Sequence, residues 1–337
     1  MDLHRTRSGD VLLPLHRPPA ADEWDRDRPV SAAASGGGTI GRRHFLKLAG
    51  LGAGALAIAP ILEACSKSGV PIPPSLRAAA RSLGGEKSDL QLFPGGQEFL
   101  SSRAQRFPFG ITDIDGMQIL GPPARVWIGQ GSSAHGPITA TVEKYRVLDE
   151  PGDPTGFYVA TLPMPPSGLA WTMVDAQGIY GIAPVTILDA PTTPGIGQRA
   201  VSVATPTPGH LLGVTSMCTR KPVCPMHTVS LDAALRARKP IVFTIASPLL
   251  CTSRTCGPVV DEVVDVRARH LKDAIFIHAE PYKGNMATIL SPTATAWKIP
   301  SEPWVWIIDR TGVVRARFEG PVVASEIEAA LRPVATP

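Results

Sequence analysis

The stretch SPLLCTSRTCGPVVDEV, residues 247–263, decides how the second half of the chain folds and contains its most reactive side chains. Cys251 and Cys256 lie five positions apart, and Gly-Pro and an amphipathic run follow them. On a continuous helix, residues at that spacing are roughly 8 to 9 Å apart, whereas a disulfide requires Cα atoms closer than roughly 7 Å. A bond between the two thiols therefore requires Cys251 in the loop before the helix, or an unwound first helical turn.

The elements around this stretch follow from the hydrophobic pattern. A continuous apolar run predicts a buried strand at residues 239–247, and valines at helical spacing predict a helix at residues 257–270. A second strand is expected at residues 273–280, a hairpin at residues 303–320 and a closing helix at residues 325–334. The order is β, α, β, then β, β, α, which places the cysteines at the first β–α turn.

The preceding region, residues 91–203, consists of short apolar or alternating runs between Gly, Pro and Asp turns. About six or seven such runs at regular spacing predict an all-β, immunoglobulin-like sandwich. Residues 204–230 are rich in Pro and Gly at their start and contain a second cysteine pair, Cys218 and Cys224. We interpret them as a linker to a final domain at residues 231–337.

The first 64 residues indicate export. A polar start, which is expected to be disordered, leads into GRRHFLK at residues 41–47 and an apolar run at residues 48–62. These two segments resemble a twin-arginine signal peptide. The run ends in LEAC, where Cys65 fits the lipidation site of a bacterial lipoprotein, and residues 65–90 would form the tether. The alternative is an ordinary signal peptide that is cut nearby.

Composition and cysteine count narrow the location and the partners. The 337-residue chain has a formal net charge of +4 and no basic cluster beyond the signal, so no nucleic-acid partner is expected. Of its five cysteines, four are left once Cys65 is assigned to the lipid anchor. An even number in an exported chain favours disulfides. We predict a protein without a cofactor, held by an N-terminal lipid on the extracytoplasmic face of the cell membrane.

Residues 225–334 resemble the thioredoxin superfamily, in particular extracytoplasmic TlpA-like lipoproteins. The segments KPIVFTIASPLLC and EPWVWIIDRTGVVRARFEG, with the helix between them, carry the resemblance. Pro248 follows the first strand as in that family, and Pro303 stands where the family has a cis-proline, which implies a cis Glu302–Pro303 bond beside the cysteines. The resemblance implies an α/β thioredoxin-like domain at residues 231–337 with a redox-active cysteine pair.

Departures from the family pattern leave alternatives open. The chain has Cys-x4-Cys in place of Cys-x-x-Cys, a spacing similar to Q-type peroxiredoxins, and Thr244 stands where the family has a buried acid. Sco-type copper proteins also have two cysteines near this turn, with a distant histidine that His278 would supply. The alternatives to redox activity are therefore a Sco-like copper-binding assembly factor and a redox-inactive binding module.

The residues themselves favour thiol chemistry. A helix N-terminus presents unpaired N–H groups and a positive dipole end, which stabilise a thiolate, and Arg254 adds to this effect. Thiolate is the attacking species in disulfide exchange. We predict a thiol–disulfide oxidoreductase that acts on protein thiols or disulfides, with Cys251 as the nucleophile and Cys256 as the resolving thiol. Pro303 completes the site, and Arg254, Pro248 and Glu302 support it.

The second pair, in CTRKPVCPMH at residues 218–227, has three interpretations. Cys218 and Cys224 can form a structural disulfide that pins the linker to the final domain. They can also form a soft-metal site, because Cys, Met and His suit copper(I), or exchange with the first pair. The sequence assigns no metal, and His278 and His227 are secondary candidates for ligands.

Overall fold

The computed structural model describes residues 71–84, 90–146 and 154–335. The predicted twin-arginine signal, the lipidation site at Cys65 and the start of the predicted tether lie outside the described residues. None of the described helices is long and apolar enough to cross a membrane.

Eight strands in the first part of the described chain form one curled, mixed sheet. They are β1 (Gln91–Pro94), β2 (Phe99–Leu100), β3 (Ala104–Thr112), β4 (Ala124–Gln130), β5 (Ser133–Lys144), β6 (Gly156–Pro163), β7 (Gly168–Ala176) and β8 (Ile179–Leu188). Their order is β1-β3-β6-β5-β4-β7-β8-β2. Strand β5 is 12 residues long and pairs with β4 along one part and with β6 along the other. A single strand therefore joins the two halves of the sheet.

Alternating side chains fill the inside of the curled sheet. Phe107, Phe109 and Ile111 on β3 are fully buried. Tyr158 on β6 stacks on Phe109 with ring centroids 5.4 Å apart. Because every second side chain of a strand points to the same face, β3 and β6 together supply an aromatic core.

Part of the predicted tether packs on this sheet. A 3-10 helix at Pro74–Leu76 leads into helix α1 (Arg77–Ser82). Leu76 and Ala80 are buried in one cluster with Trp127 of β4. The described portion of that segment is thus part of the folded body.

The remaining strands form a four-stranded sheet. They are β9 (Ile241–Ile245), β10 (Ile275–Ala279), β11 (Trp304–Ile308) and β12 (Val314–Glu319), in the order β10-β9-β11-β12. Strand β10 is parallel to β9, and β11 is antiparallel to both of its neighbours. Every residue of β9 and β11 is buried, as their continuous apolar runs predict.

Four helices accompany the four-stranded sheet: α2 (Leu231–Arg236), α3 (Cys256–His270), α4 (Pro292–Trp297) and α5 (Ala324–Ala335). Helices α3 and α5 share a core cluster with Val242 and Ile307, whereas α2 and α4 share another with Phe243 and Trp306. Successive strand residues thus alternate between two buried faces. The strand expected near residues 239–247 and the helix expected near residues 257–270 are confirmed as β9 and α3.

The predicted fold class, an immunoglobulin-like sandwich followed by an α/β thioredoxin-like domain, is wrong. The described chain is mostly β structure with 19% helix, and a thioredoxin fold is not evident in it. Alternating runs locate strands but do not define their partners, and the double pairing of β5 produces one curled sheet in place of two stacked sheets. Helices α2 and α4 have six residues each, so the helix content stays low.

A buried ion pair connects the two sheets. Arg317 on β12 donates to Glu98, just before β2, at 2.7 Å, and the two side chains are 9% and 1% exposed. Thr193 donates its N–H and its hydroxyl to the same carboxylate, each at 2.9 Å. Burial alone would raise the pKa of Glu98, but hydrogen bonds from the Thr192 hydroxyl and the Thr193 N–H, together with the Arg317 charge, hold it below its ordinary value. The carboxylate is therefore ionised and paired.

We expect Arg317→Met to lower the free energy of unfolding by about 3–5 kcal/mol, because it leaves the Glu98 charge buried without its partner. The matched control is Arg315→Met on the same strand. Arg315 is 51% exposed in its pair with Asp309, so its loss should cost less than about 1 kcal/mol. Urea unfolding of both variants measures the difference, and equal midpoints would contradict a connecting role for the buried pair.

Candidate functional site

The two cysteines of the opening stretch lie where a turn meets a helix. Cys256 is the first residue of α3. Cys251 lies in the preceding turn, where its N–H donates to the Ser247 carbonyl at 3.2 Å. Of the two arrangements that the spacing left open, the structure has Cys251 in the loop, with the helix beginning at Cys256. The sulfur atoms are free thiols within 4.8 Å of each other, so the spacing does not keep them apart.

Glu302 brings a carboxylate to the same point. It lies just before β11, and one of its oxygens is within 4.8 Å of both sulfur atoms. Tyr282 donates its hydroxyl to Oε1 at 3.0 Å, while Oε2 is buried and has no hydrogen-bond partner among the described residues. Thr244 on β9, at the place of the expected acid, has a buried hydroxyl that is also without a partner there. The acid of this site thus comes from a different element.

Hydrogen bonds make Cys251 the more acidic of the two thiols. Hydrogen bonds from the Cys256 thiol, from Ser253, whose Oγ is 3.2 Å from Cys251 Sγ, and from backbone N–H groups outweigh burial. They lower the pKa of Cys251 to about 6. Burial, then the contact with Cys251, raises the pKa of Cys256. Burial, then the charge of Cys251, raises the pKa of Glu302 to about 7. At neutral pH the site therefore holds a thiolate, a thiol and a partly ionised carboxyl group.

The other residues expected at this site lie around it. Pro248 begins the turn, and the Glu302–Pro303 bond is cis, as predicted. Arg254 has a left-handed backbone with φ of 57°, just before the helix. The main contacts that lower the pKa of Cys251 are hydrogen bonds, so an effect of Arg254 on the thiolate stays a prediction.

A second buried cluster surrounds the other two cysteines. Cys218, Cys224, His227 and His278 each place a sulfur or a ring nitrogen within 4.8 Å of the other three. Cys224 Sγ is 3.2 Å from His227 Nε2 and 3.4 Å from His278 Nδ1. Cys218 Sγ is 3.8 Å from the same Nδ1. The structure thus brings His278 to the second cysteine pair, and not to the turn that holds Cys251.

The loop with the second pair lies along the edge of β10. The backbone N–H of His278 donates to the Met226 carbonyl at 3.0 Å. The ring Nε2 of His278 is 2.9 Å from the Ala246 carbonyl oxygen. A neutral imidazole that donates from Nε2 has its lone pair on Nδ1, which faces the sulfurs. The hydrogen bond from Cys224 to Cys218 lowers the pKa of Cys218 and raises that of Cys224. The pair therefore favours one thiolate beside one thiol.

Thr219 connects the two clusters. Its N–H and hydroxyl donate to the Glu280 carboxylate at 2.6 and 2.9 Å. Its hydroxyl oxygen accepts the Leu249 N–H at 3.1 Å and lies 3.4 Å from Ser247 Oγ. The loop of the second cluster therefore supports the turn that ends at Cys251.

Sequence reasoning missed three contributors to these clusters, namely Ser253, Tyr282 and Glu280. Ser253 is two residues from Cys251, so a hydroxyl inside the turn was a signal for a thiolate donor. Tyr282 and Glu280 follow β10 and reach the site through the fold. No local pattern in the sequence indicates that contact.

We expect the rate of alkylation of Cys251 by iodoacetamide to rise with pH through a midpoint of about 6, because its thiolate is the reactive form. The rate should fall below that pH as the sulfur is protonated. Cys256→Ala removes the first hydrogen bond to the thiolate and should move the midpoint upward. Peptide mass spectrometry follows the modification, and a wild-type midpoint near the unperturbed value of about 8.5 would contradict the activated thiolate.

Comparison with known proteins finds neither a family model nor a curated protein that matches the chain. The function is therefore inferred from the two clusters themselves. They consist of a thiolate, a thiol and a carboxyl group at the start of α3, and of two cysteines and two histidines at the edge of β10.

Proposed function

We propose that the protein is a thiol–disulfide oxidoreductase that uses Cys251 and Cys256. The observation that carries this proposal is the pair of unequal thiols within 4.8 Å at the start of α3. Cys251 has a pKa of about 6 and is 8% exposed, whereas Cys256 is fully buried with a raised pKa. A thiolate that lies nearer to the solvent than the thiol beside it is the arrangement that disulfide exchange requires.

The reaction proceeds in two exchanges. The Cys251 thiolate attacks one sulfur of a substrate disulfide, forms a mixed disulfide and expels the other sulfur as a thiolate, which takes up a proton. Cys256 then loses its proton and attacks the Cys251 sulfur, which releases the second substrate thiol. The substrate disulfide is reduced to two thiols, and the two protein thiols are oxidised to one disulfide. The same steps in reverse oxidise a substrate dithiol.

Glu302 is the group that takes the proton from Cys256. Its carboxylate is within 4.8 Å of the Cys256 sulfur, and in the dithiol form its pKa of about 7 lies close to neutral pH. A base with a pKa near the working pH is partly ionised and still basic enough to accept a proton. The Tyr282 hydroxyl bonds Oε1 and leaves the buried Oε2 available. The same carboxyl group can return its proton to the departing substrate thiolate.

The location and the partners complete the proposal. The twin-arginine pattern and LEAC at Cys65 support an exported protein with a lipid anchor on the extracytoplasmic face of the membrane. An oxidising compartment supplies protein disulfides and dithiols as substrates. The resemblance of the cysteine turn to extracytoplasmic lipoproteins of the thioredoxin superfamily stays a prediction in agreement with this location.

Cys251→Ser should abolish attack on a model peptide disulfide, whereas Cys256→Ser should accumulate a mixed disulfide through Cys251. The two variants are matched controls for each other because the substitution is the same. Non-reducing gels and peptide mass spectrometry identify the trapped cysteine. A partner found on Cys256, or no reaction of either thiol in the wild-type chain, would contradict the proposed roles.

Glu302→Gln should slow the resolution of that mixed disulfide by about 100-fold, because an amide cannot accept the Cys256 proton. In the wild-type protein the resolution rate should rise with pH as Glu302 ionises, with a midpoint below about 7 because the mixed disulfide removes the Cys251 charge that helps to raise this pKa. The variant should lose this step. Rapid-quench kinetics measures both. The control is Glu328→Gln at the α5 surface, and an unchanged pH profile in Glu302→Gln would exclude the proton-transfer role.

A further inference from the structure

We propose that Cys218, Cys224, His227 and His278 form a closed binding site for one zinc ion. This inference goes beyond the redox reaction and does not depend on it. The four residues come from two places in the chain, a loop at residues 218–227 and strand β10, and meet in a buried pocket of the fold. Two cysteines and two histidines are a donor set of structural zinc sites.

The distances between the donor atoms fit a tetrahedral ion. Zinc bonds to sulfur at about 2.3 Å and to imidazole nitrogen at about 2.0–2.1 Å, so adjacent sulfur and nitrogen ligands lie about 3.5 Å apart. Three of the four sulfur–nitrogen distances are 3.2 Å for Cys224 and His227, 3.4 Å for Cys224 and His278, and 3.8 Å for Cys218 and His278. All four donor atoms lie within 4.8 Å of one another. A tetrahedral ion therefore requires only small movements of the side chains.

The ring of His278 is already oriented for a metal. Its Nε2 is 2.9 Å from the Ala246 carbonyl oxygen, which leaves Nδ1 unprotonated and directed at both sulfurs in the neutral ring. Metal-binding histidines commonly donate their second ring N–H in this way, which fixes the tautomer and the ring orientation. The Ala246 carbonyl is thus the outer partner of this ligand.

The burial of His227 points to the same conclusion. The side chain is 3% exposed, its Nε2 faces the Cys224 sulfur at 3.2 Å, and its Nδ1 has no hydrogen-bond partner within the described ranges. A thiol is a weak hydrogen-bond partner, so it offsets little of the cost of burying an imidazole. A bond from Nε2 to a metal ion stabilises that ring much more strongly.

Charge balance favours zinc over copper(I) because the site is buried. Two thiolates and two neutral imidazoles carry two negative charges, which one divalent ion neutralises. A monovalent ion would leave one negative charge in a site where all four ligands are buried, and burying a net charge is costly. A full set of four protein ligands also leaves no open position, which is typical of structural sites.

The ion would fix the loop at residues 218–227, which supports the turn that ends at Cys251. Thr219, next to Cys218, bonds the Leu249 N–H and contacts Ser247, and these two residues lie in the turn before Cys251. Zinc would also withdraw two thiols from exchange with the Cys251 and Cys256 pair. The site therefore separates a structural cysteine pair from a reactive one.

The test is the metal content of the purified full chain, measured by inductively coupled plasma mass spectrometry. We expect one zinc per chain, and loss of it in Cys218→Ser and in His278→Asn. The matched controls are Cys251→Ser and His270→Asn, which change a cysteine of the other pair and a histidine on the surface of α3, and both should retain zinc. Zinc lost in Cys251→Ser but kept in Cys218→Ser would overturn the assignment.

A second measurement covers the case in which a ligand variant fails to fold. A chelator applied to the wild-type chain should lower its thermal midpoint, and added zinc should restore it. Cobalt(II) added to the metal-free chain should give the absorption bands of tetrahedral thiolate coordination. Three results would each overturn the proposal: no zinc uptake by the reduced chain, retention of copper(I) but not zinc, or a Cys218–Cys224 disulfide in the exported protein.

Discussion

The start of α3 at Cys256 is the constraint on which the reactive site depends. Because the helix begins there, the Cys256 backbone N–H and thiol are both available to the Cys251 sulfur in the turn. A helix that began at Cys251 would place the two sulfurs roughly a turn and a half apart. Gly257 and Pro258 favour the later start, since proline suits the first turn of a helix. The acidity of one thiol and the protection of the other both follow from this boundary.

Burial then gives each group near Cys251 a different role. Cys256 lies in a hydrophobic cluster and Glu302 is half-buried, and burial raises the pKa of both. Cys251 is also buried, but several donors converge on its sulfur and outweigh that effect. Desolvation and hydrogen bonding thus act in opposite directions on chemically identical thiols within 4.8 Å. Because their pKa values differ, Cys251 can carry out the attack while Cys256 keeps its proton until Glu302 accepts it.

Local structure could be predicted from the sequence, whereas the contacts between distant segments could not. The apolar run at β9 and the valines of α3 define those elements, and the Gly-Pro step after Cys256 places the helix start. Nothing local indicates that β5 pairs on both of its sides and produces one curled sheet. The pairing of β9 with β11 also brings Glu302 to Cys256, a contact over 46 positions. The resemblance placed Glu302 at this site, but no local pattern indicates that contact. Long-range pairing therefore explains the wrong fold class.

The two cysteine pairs show why spacing alone does not define chemistry. Cys251 and Cys256 are five positions apart, and Cys218 and Cys224 are six positions apart. The first pair lies beside a carboxyl group that can exchange protons, so its sulfurs can cycle between thiol and disulfide. The second pair lies beside His227 and His278, whose nitrogens complete a tetrahedral donor set. The residues that the fold brings to each pair, and not the distance between its cysteines, therefore determine whether the sulfurs react or bind a metal.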